Sequence, residues 1–156
     1  MLRFLLSLGL LIGSGSAGNF GTFAVVIHQS NPNTNLLFAD IRALFGGATK
    51  QWSNGSKVVL VERDSSSPAY HFLIERILRT TAVEYKRRLL SIEYSGEAPA
   101  TVKVLNSEQA ACKFVFNVPG AIALIESRSL TLPECSGLVT PRIDGRLPSQ
   151  SGYPLR

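Results

Sequence analysis

The chain has 156 residues, 45% of them hydrophobic, and carries a formal net charge of +5 with a pI near 9.6. This length and composition exclude a fibrous or fully disordered chain and predict one globular domain with a buried core. The positive charge favours acidic or phosphate-bearing partners. Nucleic acid is not an expected partner, because the sixteen lysines and arginines are scattered and form neither a basic tail nor a nucleic-acid-binding motif.

Residues 1–17 have the pattern of a secretory signal peptide. Arg3 precedes an apolar run, and small residues ending at Ala17 follow it. The run is far shorter than the roughly twenty residues that cross a bilayer. We therefore expect residues 1–17 to be cleaved, and residues 18–156 to form an exported, periplasmic domain that does not span the membrane.

Strand and helix patterns alternate along the rest of the chain. β-branched and apolar runs predict strands over four stretches, 22–28, 57–62, 101–105 and 121–126. Apolar residues at helical spacing predict helices over 36–45, after the serines at 65–67, after the capping box Thr81-x-x-Glu84, and from an Asn106 cap to about Phe116. The tail is predicted to be loop, with one short strand around Val139 or Ile143. This alternation indicates one α/β domain with a mixed sheet flanked by helices.

Two cysteines, Cys112 and Cys135, fall in the expected periplasmic domain. In an oxidising compartment they could form a disulfide that adds about 3 kcal/mol to the free energy of unfolding. Cys112 also lies in an apolar helical pattern, so a buried free thiol is the alternative. His28 and His71 are far apart in the sequence and complete no metal-ligand spacing, so the sequence predicts no metal and no cofactor.

The stretch LVERDSSSPAYHF, residues 60–72, places three serines between a predicted strand and a predicted helix. A helix N-terminus has unpaired N–H groups and is a natural oxyanion site. The three hydroxyl groups would add donors there, and Arg63 could bind two oxygens at once. The same residues also suit a structural role, with Ser67 as the N-cap and Pro68 at the first helical position. The residues alone favour the structural interpretation.

Hydrolase chemistry is a further hypothesis, because Asp64, Ser66 and His71 are close in the sequence. The G-x-S-x-G motif of a nucleophile elbow is absent from the sequence. His71 is better placed to contact Glu75, four residues later on the same helix face. We therefore predict that the chain is not an enzyme.

Five segments, taken in order, resemble the phosphate-binding proteins of bacterial ABC transporters. They are FAVVIHQSNPNTNLLFADIRALFGGATKQWSNG, LVERDSSSPAYHFL, SGEAPA, VPGAIALIE and IDGRLPSQSGYPL, and together they extend over residues 22–155. The second resembles that family's phosphate loop, Arg-x-Asp-x-Ser-Gly-Thr, and the fourth resembles its Pro-Gly-Ala-Ile-Gly-Tyr strand. The specific feature of the resemblance is that the five segments occur in the order and with the spacing of that family.

The resemblance implies one lobe of the type II periplasmic-binding-protein fold, together with a set of ligand-binding residues. The family's Arg falls on Arg63 or Glu62, depending on a one-residue register. Asp64 would accept a proton from hydrogen phosphate, and Ser66 would take the position of the family's Ser.

The remaining residues of the implied site surround this centre. Ser65 and Ser67 would supply hydroxyl groups to the ligand, and Ser95 and Gly96 would lie at the rim. The family's Gly-Thr pair is replaced by Ser67 and Pro68. Proline removes a backbone N–H, and the threonine hydroxyl is lost as well.

The function implied by the resemblance is non-catalytic recognition of phosphate or a related oxyanion, with an ABC transporter permease as partner. Receptors of this family close two lobes around the ligand. The family's opening lobe has no counterpart in residues 18–156, which leaves half a cleft. A homodimer that brings two serine loops face to face could rebuild a closed site. The alternative is a protein–protein interaction module of the cell envelope that has lost ligand binding.

Overall fold

The computed structural model describes residues 20–95 and 101–156 of the chain. Its strands are β1 (Phe23–Ile27), β2 (Asn35–Leu36), β3 (Val59–Arg63), β4 (Thr101–Leu105), β5 (Ala121–Glu126) and β6 (Arg142–Ile143). Its α-helices are α1 (Phe38–Phe45), α2 (Pro68–Phe72), α3 (Ala82–Tyr94) and α4 (Glu108–Asn117). A π-helix (Leu73–Leu78) directly follows α2, and two 3-10 helices (Ser127–Thr131 and Pro133–Cys135) follow β5. The predicted signal peptide, residues 1–17, lies outside the described residues.

Four strands form one mixed sheet in the order β1-β5-β3-β4. β3 runs parallel to both of its neighbours, whereas β1 pairs antiparallel with β5. β2 and β6 form a separate two-stranded parallel ladder. The predicted α/β domain with a mixed sheet and flanking helices is confirmed. Each of the four predicted strands of this sheet is present, with its ends shifted by two residues at most.

Helices cover both faces of the sheet, and strand β1 shows how the core divides. Phe23, Val25 and Ile27 pack on the face that α1 and α2 cover. Ala24 and Val26 pack on the opposite face, together with residues of α4. All five residues of β1 and the first five of β5 are buried. Burial on both faces explains why these strands are continuous apolar runs rather than alternating patterns.

The helix after the serines differs from the regular α-helix that the sequence predicts. α2 has five residues and continues as a π-helix of six residues. The π-helix ends at Arg79, whose backbone adopts the left-handed conformation with a φ of 51°. Leu73, Ile74 and Ile77 are buried, as their spacing predicts. The apolar spacing does not distinguish the two helix types over so short a segment, because both place these residues on one face.

The cap of α4 also differs from the prediction by one residue. The hydroxyl of Ser107, rather than the side chain of Asn106, accepts a backbone N–H of the first turn, at 3.1 Å. Both residue types are good N-caps, so their order in the sequence does not decide between them. In the tail, the short strand forms at Ile143, whereas Val139 makes an isolated antiparallel bridge to Ile27.

Cys112 and Cys135 are joined by a disulfide bond. Both side chains are buried, and they connect α4 to the 3-10 helix Pro133–Cys135. The bond therefore ties the segment after β5 to the helix that covers one face of the sheet. Of the two states that the sequence left open, the structure contains the disulfide.

We expect the double variant Cys112→Ala/Cys135→Ala to lose about 3 kcal/mol of unfolding free energy, because a loop closed by the disulfide restricts the unfolded chain. Chemical denaturation followed by circular dichroism measures this loss. A reductant should shift the wild-type curve toward that of the variant and leave the variant unchanged. An unshifted wild-type curve under reductant would contradict a stabilising role for the bond.

Candidate functional site

Strand β3 ends at Arg63, and the serine loop (residues 64–67) leads from it into α2. Because successive residues of a strand point to opposite faces, Glu62 and Arg63 leave β3 on different sides. Glu62 is buried beneath α3, where it contacts Tyr85, whereas Arg63 contacts Glu108 of α4. The two residues that could take the Arg position of the resembled loop therefore have different surroundings.

Arg63 is held on the α4 side of the sheet. Its Nη1 donates to Glu108 Oε1 at 2.7 Å. Its Nε and Nη2 donate to the carbonyl oxygens of Leu105 and Asn106, each at 3.3 Å. Glu108 also accepts the Glu126 N–H at 3.1 Å, so one carboxyl connects the ends of β3, α4 and β5. The N–H donors of Arg63 are thus used in contacts within the fold, and its side chain is only 11% exposed.

Asp64 and Ser66 are paired with each other at the start of the serine loop. The Ser66 hydroxyl donates to Oδ2 of Asp64, and Nη2 of Arg63 lies 3.6 Å from Oδ1. The hydrogen bond from Ser66, helped by the charge of Arg63, lowers the pKa of Asp64. Asp64 is therefore an ionised acceptor, and the Ser66 hydroxyl proton points toward it.

Ser67 is the N-cap of α2. Its hydroxyl accepts the Tyr70 N–H at 3.2 Å, and Pro68 takes the first helical position. Ser67 is 5% exposed, so its hydroxyl is enclosed by the fold. The structural interpretation of Ser67 and Pro68 is confirmed. Ser65 and Ser66 are the exposed serines of the loop.

Ser95 lies at the opposite end of the parallel strands from the serine loop. It follows α3 and precedes β4, and a helix that connects two parallel strands returns the chain to their amino ends. The serine loop follows the carboxyl end of β3, roughly 13 Å away along a five-residue strand. The structure therefore does not bring Ser95 to the rim of the loop. Gly96 lies outside the described residues.

A cavity of about 160 Å³ opens beside Ser65. Its walls come from β3, the serine loop, α2, α3 and β4, and the lining residues are Glu62, Arg63, Ser65, Tyr70, Tyr85, Lys86, Leu89 and Val104. The structure thus brings two predicted site residues, Arg63 and Ser65, to one cavity. The sequence analysis missed the two tyrosines and Lys86. Only the run of cations at residues 86–88 could have pointed to Lys86, and nothing in the sequence pattern marks the tyrosines.

Glu62 is a buried carboxyl in the wall of this cavity, with 6% of its surface exposed. The Tyr85 hydroxyl donates to Oε1 of Glu62 and also lies 3.2 Å from the carbonyl oxygen of Phe45. Burial raises the pKa of Glu62 by more than the Tyr85 hydrogen bond and the Lys86 charge lower it. Burial, followed by the charge of Glu62, raises the pKa of Tyr85 as well. Both groups therefore resist ionisation.

The hydroxyl of Tyr70 is buried in the same part of the molecule. It has no hydrogen-bond partner among the described residues. Burial, followed by the charge of Glu62, raises the pKa of Tyr70. An unpaired buried hydroxyl costs about 1–3 kcal/mol, so Tyr70 carries a polar group that the described residues do not satisfy.

A larger cavity, of about 780 Å³, lies at the opposite end of the parallel strands. Gly47, Lys57, Arg88 and Thr101 are among its lining residues, and within the described part of the chain its lining includes no residue of the serine loop. Ligands of open parallel α/β sheets bind outside the carboxyl ends of the strands. This cavity lies at the amino ends of β3 and β4, so we place the candidate site at the smaller one.

The described contacts give no support for metal or hydrolase chemistry. Residues 20–95 and 101–156 contain no group of three or more His, Cys, Asp or Glu side chains that could hold a metal ion. His71 Nδ1 lies 3.8 Å from Glu75 Oε1, as the helix spacing predicts, and Ser66 donates to Asp64. These contacts do not pair a serine nucleophile with a histidine base. Over the same two ranges, no helix is both long and apolar enough to cross a bilayer.

Comparison with known proteins identifies the fold. No protein-family model matches the sequence, and no curated protein matches it. An ABC-type phosphate transport receptor from Vibrio cholerae matches with a TM-score of 0.63 and 20% identity, covering 82% of this chain and 48% of the receptor. PstS from Borrelia burgdorferi matches with a TM-score of 0.68 and 15% identity, covering 86% of this chain and 53% of PstS. A third match is a protein from Clostridium perfringens, described as a phosphate ABC transporter substrate-binding protein and solved with bound phosphate. It matches with a TM-score of 0.62 and 16% identity, covering 81% of this chain and 46% of that protein.

The fold resembles one lobe of the type II periplasmic-binding-protein fold. The resemblance drawn from the sequence is confirmed at the level of the fold. This chain spans about half the length of the solved structures that it matches. At this level of identity the comparison shows the fold alone, so the ligand has to be argued from the residues of the site.

We expect Ser67→Ala to lower the free energy of unfolding by about 1 kcal/mol, because the cap to the Tyr70 N–H is lost. Ser66→Ala is the matched control, since Ser66 is exposed and takes no part in the cap, and it should stay within about 0.5 kcal/mol of wild type. Urea denaturation of the three proteins measures both effects. Equal stability of all three would contradict the cap.

We also expect Glu62→Gln to change how stability depends on pH. The native pKa of Glu62 is raised, so the stabilisation that this group contributes is complete below its unfolded value near 4.5 and is lost as pH rises through the native pKa. Gln cannot ionise, so the variant should gain stability relative to wild type as pH rises above about 4.5, by about 1.4 kcal/mol for each unit by which the native pKa is raised. Denaturation at a series of pH values measures the gain. A difference that does not vary with pH would argue against a raised native pKa.

Proposed function

We propose that this chain is an exported, periplasmic, non-catalytic binding protein that recognises phosphate or a related oxyanion at the serine loop. The observation that carries the proposal is the position of the loop. It follows β3 at the carboxyl ends of parallel strands, where ligands of such sheets bind, in a fold shared with solved phosphate receptors. Cleavage of residues 1–17 during export is part of the proposal.

Ser65 and Lys86 are the central contacts that we propose for the anion. Ser65 is exposed, and Lys86 of α3 lines the same cavity. A hydroxyl donor beside an ammonium group suits an oxyanion, and Arg63 adds positive charge from the wall. Side chains have to supply most of the attraction, because α2 has only five residues and its first, Pro68, has no N–H.

Asp64 and Ser66 complete the proposed set on the outer side of the loop. Asp64 is an ionised acceptor, which suits a protonated oxygen of hydrogen phosphate and disfavours fully ionised sulfate. When the anion supplies that proton, the Ser66 hydroxyl can turn from Asp64 to an anion oxygen. Ser67 keeps its role as the helix cap, and Ser95 takes no part in the site.

An ABC transporter permease is the partner that we propose for the loaded protein. The described residues form one wall of a cleft. A homodimer that brings two serine loops face to face is the closed form that we propose. The protein-interaction alternative gains no support from the three solved structures, each of which is a phosphate receptor or PstS by description.

Isothermal titration of the purified protein with phosphate and then with sulfate tests the proposal. We expect selective binding of phosphate, weakened about tenfold in Ser65→Ala, Ser66→Ala and Lys86→Ala, which corresponds to about 1.4 kcal/mol for each lost contact. Lys103→Ala is the matched control, because Lys103 precedes the cavity-lining Val104 on β4 and therefore points to the other face. Absence of phosphate binding in a folded sample would overturn the proposed function. Equal affinity in all four variants would overturn the assignment of the site.

A further inference from the structure

The larger cavity, at the amino ends of β3 and β4, contains positive charge that the proposed phosphate site does not use. Lys57 and Arg88 line this cavity, and Lys50 lines it as well. In the described part of the chain, the side chains of Lys57 and Arg88 form no ion pair, and no Asp or Glu is among the residues that line the cavity. Cations that converge on a cavity with no carboxylate in its described lining favour an anionic ligand.

We infer that this cavity is a second ligand site, which binds the acidic head group of a single-chain amphiphile such as a fatty-acid anion. The acyl chain would occupy an apolar cavity that adjoins it. The volume of about 780 Å³ is within the range of roughly 300–1,000 Å³ that small-molecule sites occupy. The large cavity shares no described lining residue with the cavity beside Ser65, so the inference is independent of the proposed phosphate site.

The adjoining cavity has a volume of about 360 Å³. The two cavities have Gly47, Ile92 and Thr101 in common, so they are adjacent parts of one groove. The other apolar side chains that line the smaller part are Leu89, Leu90 and Val102. A groove that is cationic in one part and apolar in the next matches the two parts of an acidic amphiphile.

The packing of α3 explains why apolar side chains remain uncovered in this groove. Of the thirteen residues of α3, Tyr85 alone is buried. Leu89 and Ile92 are half-buried, and Leu90 is 52% exposed. An acyl chain lying against these side chains would remove apolar surface from water, which is favourable in proportion to the area covered.

The charged residues of the groove set the direction of the ligand. Lys57 and Arg88 line the large cavity but not the apolar one, whereas Glu93 lines the apolar one but not the large one. An acidic head group would therefore be attracted to the large cavity and repelled from the apolar one. The guanidinium of Arg88 lies beside the end of α1, since a Cβ added at Gly46 would be 3.8 Å from its Nη1. A guanidinium can donate two hydrogen bonds to one carboxylate or phosphate group.

Titration calorimetry with three probes tests the inference on the whole protein. Decanoate carries both an acidic head group and a long apolar chain. Butyrate keeps the head group and shortens the chain, and decyltrimethylammonium keeps the chain and reverses the charge of the head group. We expect decanoate to bind at least about tenfold more tightly than either of the other two, because only decanoate suits both parts of the groove.

Two pairs of α3 variants assign the binding to the groove. Arg88→Gln should weaken decanoate binding about tenfold, through the loss of a charged hydrogen bond donor. Its matched control is Arg87→Gln, because Arg87 belongs to the same run of cations and lines neither cavity. Leu90→Gln should also weaken decanoate binding, whereas Val83→Gln, which is exposed on the same helix but outside the groove, should leave it unchanged. Circular dichroism of each variant confirms folding.

The outcomes separate this inference from the proposed function. Absence of decanoate binding to a folded sample, equal affinity for the three probes, or equal decanoate affinity in Arg88→Gln and wild type would each overturn the inference. Phosphate binding without decanoate binding would leave the proposed function standing alone, and decanoate binding without phosphate binding would leave the second site standing alone. If decanoate competes with phosphate and Arg88→Gln weakens both, the two ligands share one site and the inference of a second site is wrong.

Discussion

The ion pair between Arg63 and Glu108 holds the carboxyl end of β3 in place. Glu108 also accepts the Glu126 N–H, so the same carboxyl connects the ends of β3, α4 and β5. Strand geometry then places the preceding residue, because neighbours along a strand face opposite sides. With Arg63 directed toward α4, Glu62 lies beneath α3, and the serine loop leaves the strand between these two surroundings. The candidate site depends on this contact more than on any residue of the loop itself.

The cavity beside the loop combines groups that favour opposite states of Glu62. Burial favours the neutral carboxyl, whereas the hydrogen bond from Tyr85 and the charge of Lys86 favour the ionised one. Opposed influences of this kind on one buried carboxyl are common at functional sites. The Tyr70 hydroxyl is a second buried polar group in this region, and it has no hydrogen-bond partner among the described residues.

Local patterns in the sequence predicted where the strands of the main sheet, α2 and α3 begin, to within two residues. The β-branched runs located the strands, Ser67 and Pro68 located the start of α2, and the Thr81 capping box located the start of α3. These features depend on contacts within one turn or one strand, so a short window of sequence contains them. The π-helix Leu73–Leu78 was missed, because its buried residues have the same spacing in either helix type.

The sequence by itself determined the order of strands and helices, and it showed which serines could cap a helix or bind an anion. Only the tertiary structure decided which residues share a site. Arg63 meets Glu108, 45 residues away, and Tyr85 meets Glu62 across 23 residues. Ser95 follows α3 near the amino ends of the parallel strands, away from the serine loop. The physical reason is that residue spacing sets the face of each element, whereas strand order and direction decide which element ends meet.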